Sequence, residues 1–148
     1  MRAVIQRVQR ASVTIDGVET ARIGAGYLIL LGVGAADTQA EAEHLWNKIF
    51  GLRIMEDESG KTNRSIDDVG GDVLVVSQFT LYADCRRGRR PSFTAAGDPA
   101  HANALYEYFV SLARRDVPRV VTGTFAADMK VELVNDGPFT IVLDTDEL

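Results

Sequence analysis

The chain has 148 residues, of which 46% are hydrophobic and 25% charged, with a formal net charge of −5. One domain spanning residues 1–148 is the natural reading of that length, with enough chain to bury a core without staples, and the composition excludes a disordered chain. No apolar run approaches the roughly 20 residues that cross a bilayer, the amino terminus lacks the pattern of a secretory leader, and the lone Cys85 excludes an intrachain disulfide or a cysteine-built zinc site. A cytoplasmic protein that does not contact membrane is expected.

In chain order, residues 2–9 alternate loosely and predict a first strand. Asp16-Gly17, between Val13-Thr14-Ile15 and Val18-Glu19-Thr20-Ala21, signals a hairpin, because that pair accepts the positive φ of a type I′ turn. Gly26 to Val33 is apolar without alternation and predicts a strand covered on both faces. Thr38 and Glu41 form a capping box. Ala42, Leu45, Trp46, Ile49 and Phe50 follow at helical spacing, and Gly51 ends that helix. Residues 56–63 are polar and turn-like, and Asp72 to Phe79 is a second buried strand. Asp98-Pro99 opens a second helix as N-cap and first helical residue. Its buried face is Ala102, Leu105, Tyr106, Phe109, Leu112 and Ala113, with Pro118 just beyond its end. Val120 to Phe125, Met129 to Val134 and Phe139 to Leu143 read as three late strands. Six or seven strands cluster at the two ends of the sequence, with hairpins rather than regular βαβ units. The expected class is therefore α+β: a barrel-like sheet with about two helices packed outside.

The familiar catalytic sets find little support. His44 lies off the apolar stripe of the first helix and His101 in the first turn of the second, and both read as solvated. Two His and one Cys are too few for a usual zinc site. Asp67-Asp68 and Glu56-Asp57-Glu58 read as hydrated turns. Gly32-Val33-Gly34 mimics a dinucleotide loop, but Asp37 stands where a third glycine is needed and its charge would face a pyrophosphate. Cys85 beside Arg86 and Arg87 reads as an exposed, idle thiol. No cofactor and no metal is expected.

Two stretches carry more. Ser77-Gln78-Phe79-Thr80 puts polar side chains abruptly at the end of an apolar strand, where backbone N–H groups could serve an oxyanion. On the residues alone, a strand end turning into a loop explains it equally well. Arg86, Arg87, Arg89 and Arg90 follow closely. Arginine suits bidentate phosphate contact, and 13 of the 16 basic residues are Arg. The second stretch is Asn135-Asp136-Gly137-Pro138-Phe139-Thr140, plainly a turn by composition.

Together these stretches resemble the bacterial D-aminoacyl-tRNA deacylases. Ser77-Gln78-Phe79-Thr80 and Gly137-Pro138-Phe139-Thr140 are similar to that family's two motifs, in the same order. The opening Met1 to Val8, Ala11-Ser12-Val13 and Arg87 to Phe93 are similar as well. The resemblance covers the whole chain. It implies a homodimeric, barrel-like α+β fold that hydrolyses the ester between a D-amino acid and the 3′ acceptor end of tRNA. It implies a cis Gly137-Pro138 bond that reaches into the partner's active site as a chirality filter, with Arg7 helping to hold it. Ser77, Gln78, Phe79 and Thr80 would line the pocket, with Phe125 and Met129 beside them. Phe79 and Thr80 would mark the catalytic backbone, assisted by the 2′-OH of the terminal adenosine. Rejection by collision leaves glycine, which has no side chain, poorly excluded, so glycyl-tRNA is an expected substrate. Two other readings stand beside this one. One is a non-catalytic RNA-binding module built on the Arg cluster. The other is a small esterase with Ser77, Thr80 or Cys85 as nucleophile.

Overall fold

The computed structural model describes residues 1–148. Its axis is a long strand, β1 (Arg2–Ile15). One edge of β1 pairs antiparallel with β8 (Lys130–Asp144) from end to end. The other edge pairs with β3 (Gly26–Gly32) over its first half and β2 (Val18–Ile23) over its second. β3 continues in parallel to β6 (Asp72–Ser77), and β6 in parallel to β7 (Val120–Thr122). The sheet then curls back on itself. Arg119, beside β7, donates to the carbonyl of Arg22 in β2 at 2.8 Å, and the Asp72 carboxylate accepts the Gly24 N–H at 3.0 Å. The result is a mixed, nearly closed barrel.

The two parallel pairs are joined through helices. α1 (Gln39–Phe50) lies between β3 and β6, and α2 (Pro99–Asp116) between β6 and β7. Parallel neighbours require such crossovers. The expectation of hairpins without βαβ units is corrected here. Irregular stretches on either side of each helix interrupt the rhythm that sequence reading looks for. The small hairpin β4 (Met55–Glu56) and β5 (Thr62–Arg64) occupies part of one such stretch, where only a turn was expected.

Alternation along the central strands divides two cores. Tyr27, Ile29 and Leu31 of β3, with Val73 and Val75 of β6, face the helices and pack with Leu45, Trp46, Ile49, Leu105 and Phe109. Leu28, Leu74 and Val76 face inward, with Val8, Ala11, Val13, Ala21 and Ile23. Both faces of β3 are thus covered, as its unbroken apolar run predicts. Each fully buried side chain of this kind contributes about 1.5–3 kcal/mol. Trp46 meets Phe109 edge-on at 5.6 Å, and its indole N–H donates to Asp116 at 2.9 Å, tying α1 to α2. Thr38 and Glu41 form the expected capping box, and Asp98 caps α2 through the N–H groups of Ala100 and His101.

Other expectations change in detail. The strand read over residues 2–9 and the hairpin arm at 13–15 are one strand. The first parallel strand of the pocket region ends at Ser77, and Phe79–Tyr82 is a 3₁₀ turn. The strand expected over Val120 to Phe125 stops at Thr122. The strands expected at Met129–Val134 and Phe139–Leu143 are halves of β8, and Asn135 to Phe139 is a bulged excursion rather than a turn between strands. Gln6 pairs with Thr140 and Val8 with Asn135, so Arg7 alone spans residues 136–139. A bulge keeps its strand in the ladder while pushing extra backbone outward, which turn-like composition does not distinguish from a hairpin. Finally, Asp37 faces no ligand loop. It is buried, where it holds the Met1 amino group at 2.8 Å and accepts from the Gly34 N–H.

Candidate active site

β6 carries its apolar residues to the open end of the barrel and stops at Ser77. The chain then turns over Gly32, where an added Cβ would stand 3.1 Å from both the Gln78 carbonyl and the Leu81 side chain. Glycine is needed there because the 3₁₀ turn sits directly on the strand. The N–H groups of Phe79 and Thr80 open that turn, where helical geometry offers no acceptor. The Gln78 side-chain amide donates to the Thr80 hydroxyl.

A cavity of about 610 Å³ opens beside this turn. Val76, Ser77, Gln78 and Phe79 form one wall, and Phe125 to Met129, ahead of β8, form another. The third wall is a loop fastened by backbone bonds: Ala35 N–H to Ala95 O at 3.0 Å and Gly97 N–H to Val33 O at 2.9 Å. Phe93 on that loop meets Phe79 edge-on, with ring centroids 5.0 Å apart. Phe79 is 54% exposed, so the pair makes an aromatic rim rather than a core contact. Gly123 lets Met129 fold inward, since a Cβ there would lie 2.5 Å from the thioether sulfur. Ala126 adopts a left-handed φ of 64° at the turn between these residues.

The lining is chemically sparse. It contains no His, Cys, Lys or Tyr; its one ionisable group is Asp128, which is exposed and paired with Lys130 at 3.1 Å. No group of three or more His, Cys, Asp or Glu side chains is placed to hold a metal ion. His44 is exposed, whereas the Nε2 of His101 is buried without a partner, so the solvated reading of His101 is corrected. His101 packs against Gly97 behind the cavity wall. Burial pushes the Tyr106 phenol, behind Phe125, up to about 12, and its hydroxyl donates to Val75 O at 2.9 Å. What the cavity offers is an apolar slot, a hydroxyl, an amide and free backbone N–H groups.

The sequence-derived residues separate into three places. Ser77, Gln78, Phe79, Phe125 and Met129 meet in the cavity, and Thr80 lies at its edge, exposed. Gly137 and Pro138 do not line it; they form the exposed tip of the β8 excursion, and the peptide bond between them is cis. The arginines 86, 87, 89 and 90 sit on an exposed loop closed by the Asp84–Ser92 bridge. Arg86 is engaged by the Asp84 carboxylate at 2.7 Å, which takes it out of a four-arginine clamp. The side-chain hydrogen bond from Arg86 holds Asp84 down at about 2.

Behind the Gly137-Pro138 tip is a dense support. Arg7, only 4% exposed, donates from Nε to Asp136 O at 2.9 Å and from a terminal nitrogen to Ile54 O at 2.8 Å. Its guanidinium also lies 4.8 Å from the Phe139 ring centroid, a cation–π contact. Asn135 closes the loop base: its amide donates to Arg7 O and Phe139 O, and its carbonyl accepts the Phe139 N–H at 2.8 Å. Gly137 has φ +146°, and a Cβ there would stand 2.8 Å from Phe139 N. Sequence reasoning missed Asn135, the Ile54 carbonyl and the wall residues Phe93, Ala96 and Gly97. An Asn opening an Asx-type loop was the one available signal.

A nearly closed mixed barrel, with a nucleophile-poor cavity at one end and a braced backbone protrusion elsewhere, defines the class of architecture. The sequence pattern of the D-Tyr-tRNA(Tyr) deacylase family matches residues 4–144, and the chain belongs to that family. It is 59% identical over 145 residues to a D-aminoacyl-tRNA deacylase of Koribacter versatilis, covering 98% of this chain and 97% of the relative. It is 52% identical over 147 residues to one from Desulfitobacterium hafniense, covering 99% of each. Among solved structures, a c-Myc DNA unwinding element binding protein superposes with a TM-score of 0.93 at 43% identity, covering 97% of this chain and 98% of that one. A probable eukaryotic D-amino acid tRNA deacylase shares the fold, with a TM-score of 0.84 at 18% identity, covering 96% and 97%.

Proposed function

We propose that this protein hydrolyses D-aminoacyl-tRNA to free D-amino acid and tRNA. The observation that carries this reading is a cavity with free backbone N–H groups and no side chain equipped as a base. Such a site needs a substrate that brings its own assisting group, and the terminal ribose of an aminoacyl-tRNA brings a 2′-OH beside the ester. In the reaction, water adds to the acyl carbon, the ester C–O bond breaks, and the 3′ oxygen leaves with a proton. The N–H groups of Phe79 and Thr80 take the developing oxyanion, a term worth about 2.7–4 kcal/mol per donor in related chemistry. Ser77, Gln78, Phe125 and Met129 position the acyl adenosine. The arginines Arg87, Arg89 and Arg90 have no carboxylate partner and contact the acceptor-end phosphates, with Arg86 the least available. A non-catalytic RNA-binding module would use the same arginines, and ester turnover is what separates the two readings.

The chirality filter belongs to the same proposal. The exposed cis Gly137-Pro138 tip, braced by Arg7 and Asn135, enters the cavity of a second copy in a homodimer and blocks an L side chain with rigid backbone. Collision discriminates more strongly than the 1–3 kcal/mol available from fitting one substituent. Glycyl-tRNA, with nothing to collide, is cleaved as well. The test is amino-acid release from matched D-tyrosyl-tRNA and L-tyrosyl-tRNA with chelator present, followed by glycyl-tRNA. D release with L intact is expected; equal release of both removes the filter, and release of neither removes the enzyme. Intact glycyl-tRNA at enzyme levels that clear the D substrate would count against exclusion by collision. Thr80→Ala is expected to keep activity within about tenfold; complete loss with folding and tRNA binding intact would make Thr80 the nucleophile.

A further inference from the structure

A second cavity, of about 340 Å³, adjoins the first. Phe125 lines both and is the wall they share. Its character is different. Asn103, Glu107, Val110 and Arg114 come from one face of α2, and Thr122 with Gly123 comes from the end of β7. The side chains of Asn103, Glu107 and Arg114 make no hydrogen bond or ion pair elsewhere in the chain. Tyr106 lines the cavity beside Phe125, with 6.1 Å between the ring centroids.

An amide, a carboxylate and a guanidinium around an aromatic wall restrict the occupant. A bare anion meets Glu107, a bare cation meets Arg114, and an apolar group leaves all three unpaired. A nucleotide satisfies the set. Its base offers a flat face to Phe125 and both donors and acceptors on its edge, while its phosphodiester suits Arg114. Among the bases, cytosine fits best: its amino group donates to a carboxylate, and its ring acceptors take an amide or guanidinium N–H.

We infer that this cavity holds the penultimate nucleotide of the aminoacyl-RNA, the cytidine that precedes the terminal adenosine at the 3′ end of tRNA. The inference rests on the deacylase reading of the first cavity. It assigns Asn103, Glu107 and Arg114 to substrate recognition away from the reacting ester, and it makes the enzyme a reader of the single-stranded end.

The experiment compares D-tyrosyl-adenosine with D-tyrosyl-cytidylyl-adenosine as substrates for the full-length enzyme. Base stacking and edge recognition predict that the added cytidine raises kcat/KM about tenfold. Arg114→Ala and Glu107→Gln are each expected to remove most of that gain and leave the mononucleotide rate unchanged. A wild type with no preference for the longer substrate overturns the proposal. So do variants that slow both substrates equally. Faster turnover of the longer substrate by Glu107→Gln would show simple phosphate attraction and overturn the base-recognition assignment. If the wild type cleaves neither substrate but still cleaves D-tyrosyl-tRNA, the second cavity is not the recognition element; if it cleaves none of the three, the deacylase reading itself falls.

Discussion

The Ser77–Tyr82 turn and the Asn135–Phe139 excursion are both departures from strands tied by an arginine, yet the ties fall at different points. The first is tied at its far end, where Arg2 donates to the Leu81 carbonyl at 3.0 Å and the Tyr82 hydroxyl to Asp37 at 3.3 Å, while at its pocket end only Gln78 donates to Thr80 and the N–H groups of Phe79 and Thr80 stay free. The second is exposed at its tip and tied at its base through Arg7 and Asn135. A pocket must leave space and free N–H groups for a guest. A protrusion that acts as the proposed filter must have no freedom to yield. The hydrogen bonds lie where rigidity is needed.

The sharpest way to break that contrast is Arg7→Ala. It strands the Asp136 and Ile54 carbonyls and removes the packing on Phe139, and a loss of about 3 kcal/mol is expected in denaturant titration. Arg7→Lys offers one point charge in place of a fork and should recover only part of it. An unchanged midpoint for Arg7→Ala would mean the excursion is held by the ladder alone.

Next is the space itself. Ala96→Leu pushes a larger side chain into the cavity from its half-buried loop wall. Turnover of D-tyrosyl-tRNA should fall on the order of 100-fold, since small displacements of a reacting group cost that much, while the thermal midpoint stays within a few degrees. A matching loss of stability would show that the wall is part of the core rather than a free surface. Asn135→Ala should act the other way around. It removes the amide bridge at the loop base, costs about 1–2 kcal/mol, and lets L-tyrosyl-tRNA be cleaved while D cleavage persists. Retained discrimination would place the rigidity in Arg7 alone.

The smallest effect concerns the arginine loop. The Asp84 carboxyl sits at about 2, against an ordinary 3.8, because Arg86 donates to it. A depressed folded value means that this tie is fully present above the unfolded value and is lost as pH falls toward about 2. Carboxyl titration by NMR should find Asp84 near 2 in the wild type and higher in Arg86→Ala, yet still below its ordinary value, because the backbone N–H of residue 86 continues to donate to it. At neutral pH that variant should bind tRNA with little change, because Arg86 is already occupied.

Much of this fold was legible from local rules. The α1 capping box, the Asp98-Pro99 start of α2 and the doubly covered run of β3 all follow from short-range sequence chemistry, and the structure reproduces them. The pocket residues Ser77 to Phe79 stood out because polar groups follow an apolar strand without transition. The walls Phe93, Ala96 and Gly97 did not, because their position depends on backbone bonds to Val33 and Ala35, sixty or more residues away in the chain. The β8 excursion was misread as a turn because Asn-Asp-Gly-Pro composition is the same in either setting; only pairing of both flanks with β1 distinguishes them.

The sequence by itself determined the two helices with their buried faces, the doubly covered run of β3 and the two motifs, since periodicity and caps act within a few residues. Tertiary structure alone decided that β3, β6 and β7 run parallel, that the sheet curls nearly closed, and that Arg7 lies beneath residues 136–139. The physical reason is reach. A hydrogen bond between residue 7 and residue 136 depends on strand register, and register is set by packing both faces of the sheet at once.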